Sequence, residues 1–214
     1  DLDGTDNKRR LGANAMLAVS IAFARAVAAE RGVPLFEHFA HIIGATPATL
    51  PRLTVNLFSG GKHAGGQVAI QDVLVVPASA MSIDEALAMT WAVYQSAAEL
   101  IARKYDTRAL SADEGGLAPP FPSIEAMLDD AVESIESAGF RPGRDVALAV
   151  DVASSHFFAD GHYHLDGRAL PPRAMIERVS QWVDRWPIVS VEDGLAEDDW
   201  NQWPALRDAS VDRA

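Results

Sequence analysis

The chain of 214 residues contains no cysteine. Disulfides, thiolate metal sites and cysteine nucleophiles are therefore excluded, and the absence suits a reducing compartment. No uninterrupted apolar run approaches the length of a membrane span. The first ten residues are polar and charged and carry no signal-peptide pattern. Positive charge is scarce: 18 Lys and Arg face 30 Asp and Glu, a net charge of -12, and the only lysines are Lys8, Lys62 and Lys104. So acidic a chain is a poor partner for nucleic acid or an anionic membrane. An anionic small molecule would need a metal ion or a local basic cluster to neutralise it. The expectation is a cytoplasmic protein. The chain has no initiator methionine, opens on the turn-like Asp1-Leu2-Asp3-Gly4-Thr5 and stops at Val211-Asp212-Arg213-Ala214, so it is expected to be a fragment or one chain of something larger.

What is present reads as globular: 49% hydrophobic and 22% charged residues. Gly12 to Gly32 predicts a long, alanine-rich helix with Pro34 beyond its end. Gly44, Pro47 and Pro51 mark a linker. Strands are expected over Leu53 to Phe58 and Val73 to Pro77, joined by the glycine loop Ser59-Gly60-Gly61-Lys62-His63-Ala64-Gly65-Gly66. Ser82 and Glu85 form a capping box for a helix running to about Tyr105. Ile124, Met127, Leu128, Ala131, Val132 and Ile135 make a helical stripe closed by Gly139. Val146 to Val150 suits a strand buried on both faces. Asp160-Gly161 between aromatic runs signals a hairpin. A second stripe, Met175 to Val183, precedes another buried strand, Pro187 to Val191. The alternation of strands and helices predicts parallel βα units.

Asp151 directly follows one apolar strand and Glu192 the other. Two carboxylates at matching strand ends, with no thiol and no adjacent histidine, suit a hard cation such as Mg2+, and the C-terminal end of a barrel sheet is where such residues gather. Either acid alone would read as an ordinary strand terminus. Asp113-Glu114-Gly115-Gly116 is equally a solvated turn or a loop whose glycines let the backbone approach a ligand. His63 amid glycines is either an idle hairpin residue or a mobile acid, base or phosphate contact. His38, His41, His156, His162 and His164 read as ordinary surface or core histidines.

Together these pieces resemble the enolase family, in its order and spacing. The segments that carry the resemblance are Leu2-Asp3-Gly4-Thr5 with Leu11-Gly12-Ala13-Asn14-Ala15, Gly60 to Gly66, Asp113-Glu114-Gly115-Gly116, Asp151-Val152-Ala153-Ser154-Ser155, and Ser190-Val191-Glu192-Asp193-Gly194-Leu195-Ala196-Glu197-Asp198-Asp199-Trp200. The resemblance implies an α/β chain: the end of an α+β N-terminal capping domain over 1–50, then the first half of an enolase-type (β/α)8 barrel over 51–214, its first strands partly antiparallel. It implies a glycolytic lyase, reversible dehydration of 2-phosphoglycerate to phosphoenolpyruvate, with Mg2+ as cofactor and a homodimer or octamer as the assembly. By position, Glu114 matches the general acid, His63 a histidine on a mobile loop near the phosphate, and Gln71 a residue lining the substrate pocket. Asp151 and Glu192 match two of three metal carboxylates, Glu192 also bordering the substrate.

Asp72 departs from the family, which has glutamate there as partner of the general acid. One methylene less shifts a carboxylate by about 1 Å, enough to cost on the order of 100-fold in rate. A paralogue acting on a phosphonate or a related phosphoenolpyruvate analogue is therefore a rival reading. The third metal carboxylate and the lysine base are expected downstream of Ala214, which makes a non-catalytic binding or scaffold chain the other rival.

Overall fold

The computed structural model describes residues 2–47 and 49–210, so the expectations for Asp1 and for 211–214 lie outside the described residues. The chain divides into two compact units, Asp1–Pro51 and Arg52–Ala214.

In the first unit α1 (Ala13–Arg31) packs on α2 (Leu35–Ile43). Each ends at a glycine in the left-handed region, Gly32 and Gly44, the conformation that lets backbone amides cap the last carbonyls. The expectation that no segment matches a membrane span needs correction. Helix α1 has 19 residues and a mean hydropathy of 1.3, and passes by length and composition. The polar residues that interrupt its apolar run, among them Ser20 and Arg25, are too few to lower the average. It buries Ala24 and Ala28 and exposes Leu17, Val19 and Phe23.

The second unit is built on a four-stranded sheet of β1 (Val55–Ser59), β2 (Asp72–Val76), β3 (Ala147–Asp151) and, later in the chain, β7 (Ile188–Glu192), in the order β1-β2-β3-β7. The sheet is not closed. Strands β2 and β3 are joined by two helices, α3 (Ile83–Tyr105) and α4 (Ile124–Ser137). An even number of helical crossings returns the chain to the end it left, so β2 and β3 are antiparallel, as β1 and β2 are. Only β3 and β7, bridged by the single long helix α5 (Pro172–Arg185), run parallel. The expectation of parallel units holds for that pair alone, and the partly antiparallel start implied by the resemblance is present.

Alternation along the strands makes two layers. Val73, Val75, Leu148 and Val150 join the main core with Val93 of α3, Met127, Leu128 and Ile135 of α4, and Val179 and Trp182 of α5. Val76, Ala147 and Ala149 line the other face, with Leu74 beside them. The capping box at Ser82 forms in displaced form: Ser82 Oγ accepts from Glu85 N–H, while Glu85 accepts from Met81 N–H. Between β3 and α5 lies a small sheet of β4 (Phe158–Ala159), β5 (His162–Leu165) and β6 (Arg168–Leu170). Asp160-Gly161 forms the expected two-residue turn with positive φ at both residues. A second such turn, Asp166-Gly167, adds β6, which the sequence reading does not place. The described residues end with α6 (Trp203–Ser210).

Leu148 is fully buried at the centre of the helix-facing layer. Leu148→Ala should lower unfolding stability by about 2–5 kcal/mol, read from the denaturant midpoint at unchanged slope.

Candidate active site

One rung of the sheet crosses all four strands. Ser59 pairs with Asp72, Asp72 with Asp151, and Asp151 with Glu192. Ser59, Asp151 and Glu192 end their strands and Asp72 begins an antiparallel one, so all four lie at the same end. Three of the four are carboxylates. Like charges directly opposite each other in a ladder are destabilising, so this register persists only because other groups compensate.

The compensation is visible at each carboxylate. Ser59 Oγ donates to Asp72 Oδ1 at 2.5 Å, both side chains being buried. Gln71 Nε2 donates to Asp151 Oδ2 at 2.9 Å and Ala153 N–H to Asp151 Oδ1 at 3.0 Å. Glu192 is exposed. Burial raises the Asp72 carboxyl above its ordinary value against the Ser59 hydrogen bond, and the charge of Glu114 raises it further. Asp151 is pushed up to about 6, by burial first and the charge of Glu192 next, with Asp193 and Asp72 adding to it.

Two glycine loops frame the rung. The first follows β1, with His63 in a short 3-10 turn, Gly61–His63. Gly60 packs so closely that a Cβ would lie 2.5 Å from the Ile70 carbonyl. The second carries Glu114 and is tied to β1 through Leu117, whose N–H donates to Leu57 C=O at 2.8 Å and whose C=O accepts from Ser59 N–H at 3.0 Å. A Cβ on Gly116 would fall 2.3 Å from Ser59 Oγ, so only glycine permits this seat. Glu114 Oε2 accepts from Asn56 Nδ2 at 3.1 Å, and Glu114 Oε1 lies 3.5 Å from His63 Nδ1. That nitrogen is buried with no hydrogen bond among the described residues. Asp113 is exposed.

The geometry brings Asp151 and Glu192 together, adds Asp72 to the same row, and sets His63 beside Glu114. Sequence reasoning missed Ser59 and Asn56. Asn56 was detectable as an amide inside an apolar strand, whereas Ser59 gains its role only through the β1–β2 pairing.

Among the described residues no group of three or more His, Cys, Asp or Glu is placed to hold a metal ion by itself. The Asp151–Glu192 pair still fits Mg2+. Both offer hard oxygens, each Asp151 oxygen accepts only one hydrogen bond here, and Mg2+ keeps several waters while using one or two carboxylates. The chain matches the family model "Enolase, C-terminal TIM barrel domain" over residues 47–214 and "Enolase, N-terminal domain" over residues 1–39.

The raised Asp151 carboxyl has a signed consequence. Between its ordinary value of 3.8 and about 6 the unfolded chain releases this proton before the folded one, so stability falls as pH rises through that window. Without divalent cation, Asp151→Asn should therefore stabilise the chain above pH 6 by about 1–3 kcal/mol. The gain should vanish in acid, where the carboxyl is protonated in both states. Denaturant melts of both proteins across this range check the prediction.

Proposed function

The chain belongs to the enolase family, and from that premise we propose that its site serves the reversible, Mg2+-dependent dehydration of 2-phosphoglycerate to phosphoenolpyruvate. The observation that carries the proposal is the rung of Asp72, Asp151 and Glu192 at one sheet end, with Glu114 and His63 on the loops beside it. On this reading Asp151 and Glu192 hold the cation. When bound, Mg2+ offsets the charge that develops on the substrate carboxylate as the C2 proton leaves.

The chain's own residues do the rest. Glu114 gives a proton to the departing 3-hydroxyl, so that it leaves as water. Asn56 orients the Glu114 carboxyl through the 3.1 Å hydrogen bond. Asp72 opposes full ionisation of its neighbourhood, because nearby carboxylates resist carrying charge together. His63 meets the phosphate and the leaving hydroxyl, and Gln71 lines the pocket while steering Asp151. The family's lysine base and third metal carboxylate are matched by no residue of these 214, so the proposal assigns neither to this chain. A homodimer or octamer and a cytoplasmic setting are proposed on the same family ground.

One observation favours a second reading. The short Asp72 side chain is committed to buried Ser59, which keeps its carboxylate back on the strand, away from the place a glutamate would reach. A substrate related to phosphoenolpyruvate, such as a phosphonate, would suit that altered spacing. Turnover of 2-phosphoglycerate against a phosphonate analogue separates the two readings.

In the active protein Glu114→Gln should lower dehydration by at least about 100-fold while leaving Mn2+ affinity nearly unchanged. Steady-state kinetics with a parallel cation titration read both. Full activity in the variant would refute the role of Glu114. Turnover by the 214-residue chain on its own would refute the reading that it carries no base.

A further inference from the structure

Glu192 stands at the end of β7, an edge strand of the described sheet. Among the described residues its one ladder is with β3, irregular between Leu148 and Ala149 and regular from there to the Asp151–Glu192 pair. The loop that follows Glu192 adds further ties between this strand end and the segment after Asp151.

That loop is stitched down at successive points. Val152 N–H donates to Glu192 C=O at 3.0 Å and Ser154 N–H to Asp193 C=O at 3.1 Å. Glu197 N–H donates to Ser155 Oγ at 2.9 Å. The deepest point is Tyr163, on β5 of the small hairpin sheet and fully buried. Its Oη accepts from Ala196 N–H at 3.0 Å, and its O–H donates to Asp199 Oδ2 at 2.8 Å. Phe158 packs against the ring, centroids 4.6 Å apart. Packing alone would be served by phenylalanine, and a buried hydroxyl is costly unless paired. Here it is used on both sides, and both partners belong to the loop after Glu192.

Backbone strain sits at the same crossing. Ala153 and Asp193, just beyond Asp151 and Glu192, both have left-handed φ, 50° and 46°. Such non-glycine residues persist only where surrounding contacts over-determine them, and the hydrogen bonds of Val152 to Glu192 and of Ser154 to Asp193 supply those contacts.

We propose that Tyr163 is a positioning residue for the cation pair, its hydroxyl pinning the Ala196–Asp199 turn so that Glu192 stays in register with Asp151. The proposal rests on the reading of Asp151 and Glu192 as cation ligands. It gives the β4–β6 hairpin a part in the site from outside the rung.

The test uses the full 214-residue chain and Mn2+ as probe, titrated by calorimetry or by the electron paramagnetic resonance of free Mn2+. Tyr163→Phe should raise the Mn2+ dissociation constant by about 10- to 100-fold, the range for lost outer-shell partners. Ser155→Ala removes an exposed stitch to the same loop and should weaken binding in the same direction, which keeps the test alive if Tyr163→Phe does not fold. Leu165→Val, in the same hairpin and buried, loosens packing without touching the hydroxyl and should leave Mn2+ affinity unchanged. If Tyr163→Phe folds, affinity equal to wild type, or a loss no greater than that of Leu165→Val, overturns the positioning role alone. Failure of the wild-type chain to bind Mn2+ overturns the cation reading and this inference with it.

Discussion

The rest of the site depends on one register: Ser59, Asp72, Asp151 and Glu192 side by side across four strands. A slip of one residue in any pairing would turn a carboxylate toward the helices, where Val73, Val150 and Leu148 now pack. Burying an unpaired carboxylate there would cost far more than the like-charge repulsion it escapes. The apolar alternation of β2 and β3 therefore enforces a row of acids that electrostatics alone would disperse. Hydrophobic burial supplies the force, and the strand ends, where side chains still meet water or a ligand, receive the charge.

The loops inherit their positions from that sheet. Leu117 clamps the Glu114 loop onto β1 by bonds to Leu57 and Ser59, and Tyr94 Oη holds the Gly115 carbonyl at 2.9 Å. Close approach at Gly60 and Gly116 removes the slack a side chain would introduce. Glu114 is nevertheless exposed, and its contacts with Asn56 and His63 are single ones. Of the rung, Ser59 and Asp72 are buried with the core, whereas Glu192 is exposed. The groups proposed to meet the substrate sit on tethered loops that keep freedom at their tips, a division expected where binding loops come from the less stable end of a structure.

Much of this was legible in the chain. Apolar runs placed β3 and β7 to within a residue or two, and the acids after those runs were candidate ligands before any pairing was known. Helical stripes gave α4 and α5, because a buried helix face leaves a clear period. Pairing direction was less legible. Periodicity reports which face of a strand is buried and gave both helices between β2 and β3, but that these two strands are neighbours in the sheet, and so pair antiparallel, is settled only by the topology. Asp72 drew attention through its departure from the family, whereas its partner Ser59 has no local signature: its role exists only across the β1–β2 pairing. The same holds for Tyr163 and Asp199, 36 residues apart, whose contact no spacing rule anticipates. Helix α1 was predicted, but not that it reaches the length and hydropathy of a membrane span, since scattered polar residues interrupt its apolar run without lowering its mean hydropathy much.

The acid rung also links stability to ligand. Without a cation, Asp151 holds its proton to about pH 6 because burial and Glu192 both oppose its charge. A cation between them reverses the sign of the second effect, since each carboxylate then faces a positive neighbour and releases its proton more readily. On the proposed reading binding and deprotonation are thus coupled, and the charge repulsion between the carboxylates is returned as affinity when a cation enters. A row of neutral amides would give a more stable sheet and lose that coupling. Stability given up at one strand end is thus what the proposed ligand site would require: three acids in one rung, on strands of which β2 and β3 are largely buried.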